Sequence, residues 1–134
     1  MSARRASGIL DTCTYIDLYE LEPESLPKMP EITTITLAEL HQGIAMAKDP
    51  VARAQRSERL GIAIVEFDPI PFDEDAATRY GTLVALTLAS KRDPRPRRLD
   101  LMIAAVASSR GLALFTRNSD DFRGLESMVE IVAV

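Results

Sequence analysis

Carboxylates sit at four places in this chain where metal-assisted phosphoryl chemistry would need them. Asp11 closes the short apolar run Gly8-Ile9-Leu10, and Glu39 follows Thr36-Leu37-Ala38. Asp100 precedes the apolar stretch Leu101-Met102-Ile103-Ala104-Ala105-Val106-Ala107. Asn118, Asp120 and Asp121 follow the apolar run Leu112-Ala113-Leu114-Phe115. In an open parallel sheet the carboxyl ends of the strands line one crevice. Acids at those ends converge, and converging carboxylates repel one another unless a cation holds them together. Oxygen-only ligand sets suit hard cations, and a cation held that way serves phosphoryl transfer.

Each acid also has a purely structural reading. Asp11 is followed by Thr12 and Cys13, so it either binds a ligand or caps the next helix. Thr36-Leu37-Ala38-Glu39 fits the capping box, in which the Glu reaches back to the cap amide. Asp100 suits the positive end of a helix. The helix it opens is apolar on nearly all sides and must be buried, so an acid there needs a compensating charge. Of Asn118, Asp120 and Asp121, at least one is accounted for by a turn or a helix start. His41, the only histidine, lies two positions after Glu39 and faces elsewhere on its helix. Cys13, the only cysteine, has no adjacent base to activate it and reads as a free structural thiol. Neither supplies a nucleophile, which leaves the acids to carry the chemistry.

Positive charge concentrates just before Asp100, in Lys91-Arg92-Asp93-Pro94-Arg95-Pro96-Arg97-Arg98. A solvated loop is the ordinary fate of such a run. Its place beside Asp100 favours a phosphate-positioning patch built from Arg92, Arg95, Arg97 and Arg98 and extended by Arg117 and Arg123.

The elements that must position these residues follow from periodicity and punctuation. Residues 8–11 read as a buried strand, and a helical segment begins at Thr14. The stretch 22–30 holds Pro23, Pro27 and Pro30 and reads as a loop. The β-branched run 32–35 predicts a strand. A helix beginning at Thr36 places Leu37, Leu40, Ile44 and Ala47 on one face. A second helix runs from Pro50 to Leu60 and is capped by Gly61, and residues 62–65 predict a third strand. Asp73-Glu74-Asp75 opens a helix to about Ser90, and Asp100 opens one stopped by Gly111. Residues 112–116 and 129–134 predict the last strands. Strands alternating with helices predict a three-layer α/β/α sandwich around a mostly parallel sheet.

With 134 residues, the chain fits one domain, residues 1–134, with one core. A single Cys excludes an internal disulfide, and the scarcity of Cys and His argues against zinc. A cytoplasmic setting follows from that cysteine usage. No apolar stretch reaches the length of about 18 residues that a membrane span needs. Arg4-Arg5 reads as a solvated tail, because Asp11 arrives too soon for a secretory signal. A net charge of −4 argues against a general nucleic-acid coat, though not against one local RNA-binding patch.

Taken together, the segments Ile9-Leu10-Asp11-Thr12, Thr36 to Gly43, Arg98 to Ala107 and Leu114 to Phe122 resemble the PIN-domain family. More narrowly, they resemble the VapC-type toxins of bacterial type II toxin–antitoxin pairs. The resemblance covers essentially the whole chain. It implies an endoribonuclease dependent on Mg2+ or Mn2+ that cuts structured RNA such as tRNA or rRNA. It also implies a VapB-like antitoxin whose tail covers the active site, and a homodimer. Asp11, Glu39 and Asp100 match the family's three principal acids. Many members carry an acid two residues after the strand-ending Thr; this chain has Asn118 there, with Asp121 as the candidate to supply the charge instead.

These features predict that Asp11 and Asp100 bind one metal ion and that Glu39 completes its shell or orients a water. Asn118 and Asp121 complete the catalytic set, and Arg92, Arg95, Arg97, Arg98 and Arg117 contact RNA. An aspartyl-phosphate phosphatase would need a second acid two residues after Asp11, where Cys13 stands. The other alternative is a non-catalytic, metal-stabilised module that binds RNA or protein.

Overall fold

The centre of the sheet is built from two short apolar strands whose residues alternate between its faces. In the computed structural model, which describes residues 4–134, Ser7–Leu10 forms β1 and Leu114–Thr116 forms β3, and the two pair in parallel. Met29–Glu31 (β2) flanks β1 and Ile131–Ala133 (β4) flanks β3, giving an all-parallel order β2-β1-β3-β4. Ile9 and Leu114 point to one face and Leu10 and Phe115 to the other, as a strand's period of two requires.

Each face is covered by helices. Glu74–Ala89 (α4) and Arg98–Arg110 (α5) pack on the Ile9 and Leu114 side. Thr12–Ile16 (α1), Thr34–Ala45 (α2) and Pro50–Glu66 (α3) supply Tyr15, Leu40, Leu60 and Ala63 to the cluster around Leu10 and Phe115. The expected three-layer sandwich is therefore the architecture found. The caps follow sequence rules: Asp49 and Asp73 each accept from the amide three residues on, and Gly111 ends α5 in the left-handed region at φ 64°.

Several boundaries differ from expectation: α1 begins at Thr12 rather than Thr14, and α5 at Arg98 rather than Asp100. The run at 62–65 is not a strand, and Gly61 is not a cap; both lie within α3. Leu60 and Ala63 face the core while Ile64 and Val65 face outward, a helical alternation. No turn residue breaks the chain before Phe67, so helical continuity overrides the β-branched propensity.

The strand expected at 32–35 lies earlier, at Met29–Glu31, inside the segment read as a loop. Pro30 is tolerated there because β2 is an edge strand. Ile32 and Thr33 pair instead with Ile70, whose amide donates to the Ile32 carbonyl at 2.9 Å. The following helix starts at Thr34, with Thr33 rather than Thr36 as its cap.

Arg4 and Arg5 are exposed but tethered, Arg4 to the Leu26 carbonyl and Arg5 to Glu130. Residues 1–3 of the expected tail lie outside the described residues.

Candidate active site

The order of the strands creates one crevice. The chain leaves β1 for β2 on one side and later returns to β3 on the other, so the topological switch falls between the carboxyl ends of β1 and β3. Asp11 follows β1 and Thr116 ends β3, and the Asp11 amide donates to the Phe115 carbonyl at 3.3 Å. Asp11 is only 3% exposed. One of its carboxylate oxygens accepts from the Thr14 amide at 3.0 Å, capping α1, and the other accepts from the Thr116 hydroxyl at 2.6 Å. The cap and the strand-end position are thus both real. Each carboxylate oxygen has a second lone pair left over for a further partner. No Lys or Arg forms a salt bridge with Asp11 among the described residues.

Glu39 reaches the same crevice from α2. Because that helix starts at Thr34, Glu39 lies in its second turn and forms no capping box. Its carboxylate accepts instead from the Thr12 hydroxyl at 2.8 Å, and Thr12 also meets the Thr36 hydroxyl at 2.9 Å. Burial pushes the Glu39 carboxyl above its ordinary value; the Thr12 hydrogen bond opposes that and the Asp11 charge adds to it.

Asp100 enters from the first turn of α5 and is half-buried. Its carboxyl is pushed up to about 6, first by burial and then by the charges of Asp11, Glu39 and Asp121, against a smaller opposing pull from Arg97. Four acids from four separate segments therefore act on one another.

The fourth corner is the short turn Ser119–Phe122. Asp121 is held by Arg97, which donates to its carboxylate at 3.1 Å and its carbonyl at 3.0 Å. Asn118 is exposed; its backbone amide donates to the Thr116 hydroxyl at 2.9 Å. Asp120 points outward, close to Arg92 and Arg123.

The arginines expected to grip RNA are not uniformly free. Arg92 donates to the Asp120 carbonyl at 2.7 Å and Arg97 clasps Asp121, so these two brace the last turn of the site. Arg95 pairs with Asp93, and Arg117 with Asp17 and Glu20. Both are exposed pairs of the weak kind, which a phosphate can replace. Arg98 is exposed and has no ion-pair partner among the described residues.

His41 is exposed, as expected. Cys13 is not buried structure: it is exposed at the edge of the site. Partial desolvation of its thiol and the charges of Asp11, Asp100, Glu39 and Asp17 push it up, making it a poor nucleophile.

The donor set is oxygen only, converges on one crevice and carries uncompensated negative charge, which fits a hard divalent cation. Among the described residues, no three Asp, Glu, His or Cys side chains enclose a cation by themselves.

The residues that sequence reasoning missed are hydroxyls. Thr12, Thr36 and Thr116 are buried and contact the acids directly or through one another. Their signal was positional: Thr12 follows Asp11, Thr36 precedes Glu39 by one helical turn, and Thr116 ends its strand.

Beside Glu39 opens a cavity of about 390 Å³ lined by Ile16, Leu40, Gly43, Arg56 and Arg59. A neighbouring one of about 330 Å³ shares Ile16 and Arg59 and extends past Tyr15, Leu18 and Tyr19.

Comparison with known proteins bears on the family and the fold. A family model described as the PIN domain matches residues 9–126. Ribonuclease VapC5 of Mycobacterium tuberculosis is 37% identical, with 100% of both chains covered. Ribonuclease VapC4 of the same organism is 30% identical over 90% of this chain and 91% of the relative. The crystal structure of VapBC-5 from M. tuberculosis, a member of the VapBC family of toxin-antitoxin systems, superposes with a TM-score of 0.85. That match is 37% identical and covers 96% of this chain and 99% of the other.

Proposed function

The chain belongs to the PIN-domain family, in its VapC branch, and from that premise we propose that it is a single-domain, metal-dependent endoribonuclease. In this reading it is the toxin of a VapBC-type pair and hydrolyses phosphodiester bonds in structured RNA, tRNA or rRNA. Its relatives are named ribonucleases, which supports the reaction. The observation that carries the reading is the convergence of Asp11, Glu39, Asp100 and Asp121 at the switch between β1 and β3. Asp11 is buried there without a salt-bridge partner among the described residues, and Asp100 is pushed up to about 6 by burial and by its acidic neighbours.

Asp11 and Asp100 are the residues that would hold Mg2+ or Mn2+. Such an ion, when bound, polarises the scissile phosphate and lowers the pKa of an attacking water. Glu39, fixed by Thr12, faces the same space and accepts a hydrogen bond from that water. Asp121, steadied by Arg97, adds negative charge on the far side, and Asn118 offers an uncharged amide. Arg98, with Arg95 and Arg117 once their surface pairs exchange, contacts the flanking phosphates. Arg92 and Arg97 act through the last turn.

The partner is a VapB-like antitoxin. Tyr19 is 80% exposed and lines the cavity that neighbours the one beside Glu39, where it offers an exposed aromatic anchor. A homodimer in a cytoplasmic setting completes the reading.

Purified protein and Asp100→Asn, incubated with total RNA in Mn2+, Mg2+ or EDTA, test it by mapping of new 5′ ends. Discrete cuts that need metal and fall by roughly 100-fold or more in the variant are expected. RNA binding without cleavage under any metal would replace the nuclease with a binding module.

A further inference from the structure

We propose that Thr12 and Thr36 form a two-hydroxyl relay that fixes the Glu39 carboxylate relative to Asp11, making both threonines positioning residues of the site. This rests on the reading that these acids hold a cation for RNA cleavage.

The direction of the relay follows from proton counting. The Thr12 hydroxyl lies 2.8 Å from a Glu39 carboxylate oxygen and 2.9 Å from the Thr36 hydroxyl. An ionised carboxylate only accepts, and a hydroxyl has one proton. Thr12 therefore donates to Glu39, and the contact between the two threonines is donated by Thr36. No other acceptor claims the Thr36 proton among the described residues, and Thr36 is fully buried. The Thr36 amide donates to the Thr33 hydroxyl within the cap of α2, which fixes the backbone from which Thr36 donates.

The placement gives the relay its purpose. Thr12 follows Asp11 directly and opens α1, while Thr36 and Glu39 are one turn apart on the same face of α2. The relay thus joins the end of β1 to α2. Asp11 and Glu39 repel each other, and nothing else among the described hydrogen bonds holds the Glu39 side chain in place. A buried, satisfied hydroxyl pair sets the spacing of the two acids before any ion arrives, in the way that outer-shell partners orient metal ligands.

Mn2+ affinity by titration calorimetry and single-site RNA cleavage, measured on the full chain, test this. Thr12→Val keeps the shape and deletes the hydroxyl. It should weaken Mn2+ binding about 10-fold and lower kcat by a similar factor, with KM for RNA within about twofold. Thr12→Ser should stay within about threefold of the wild type, and Thr36→Val should fall between. In a Glu39→Ala background, adding Thr12→Val should cost less than about twofold, because the acceptor of its hydrogen bond is already gone. Wild-type Mn2+ affinity in Thr12→Val, or an undiminished loss in the Glu39→Ala background, overturns the relay. Should Thr12→Val fail to fold, Thr36→Val carries the test, and wild-type affinity there overturns it equally. A wild type that neither binds Mn2+ nor cuts RNA overturns the proposed function and the relay with it. Wild-type cleavage with an indifferent Thr12→Val removes the relay alone.

Discussion

Asp100 holds the sharpest conflict between stability and function. Its folded-state pKa of about 6 lies above the ordinary 3.8, so the folded chain binds that proton more tightly than the unfolded chain does. Its stabilising contribution is fully present below about 3.8 and is lost as pH rises through about 6. Metal-free protein should therefore become less stable across that window. Asp100→Asn should flatten this part of the profile and raise Tm at pH 7 by roughly 3 °C or more, even as it abolishes cleavage. Calorimetry in EDTA checks both; an equal or lower Tm in the variant would show that the charge is already compensated. The acids themselves were legible from sequence because a carboxylate flanking an apolar run has little packing value. The hydroxyls of Thr12, Thr36 and Thr116 were not, because a threonine beside a strand is ordinary until its partner is known.

The elements set how firmly those residues are held. Gly8 in β1 lies against the Phe115 ring; a Cβ there would come within 2.7 Å of the ring's Cδ1, and the ring is buried. Gly8→Ala should cost on the order of 1–3 kcal/mol in denaturant unfolding, and a neutral result would mean that β1 and β3 have room to part. The helix at Pro50–Glu66 gives a second test. Val65 is 84% exposed, so Val65→Glu should change stability by less than about 0.5 kcal/mol, whereas Leu60→Ala should cost about 2–4 kcal/mol. A large loss in Val65→Glu would return residues 62–65 to a buried strand. Sequence periodicity placed α4 and α5 correctly because their caps, Asp73 and Gly111, carry local chemistry. It failed at 62–65 because Ile and Val favour strands only where a neighbouring strand exists to pair with, and none lies there among the described residues.

At the scale of the whole molecule, a net charge of −4 must coexist with an RNA substrate, so affinity has to come from a local set of cations around an acidic centre. The trough beside that centre mixes apolar Ile16, Leu18 and Leu40 with Arg56 and Arg59 and is flanked by the exposed Tyr19. Tyr19→Ala should weaken the complex with the antitoxin roughly 10-fold while cleavage by the free toxin stays within about twofold. Unchanged antitoxin affinity would move the docking face elsewhere. By itself, the sequence predicted the sandwich and marked Asp11, Glu39 and Asp100 as candidates, because hydrophobic alternation and strand-end carboxylates are local patterns, while the family rested on the resemblance of its motifs. Only the tertiary structure decided which side chains meet. It assigned Arg92 and Arg97 to bracing the turn at 119–122, left Arg98 without an ion-pair partner among the described residues, released Glu39 from a capping box to a hydroxyl of α1, and set Asp121 within the field of Asp100. Those outcomes depend on contacts between residues from about 24 to more than 100 positions apart, as the Arg97–Asp121 and Thr116–Asp11 bonds show, and chain spacing does not encode such distances.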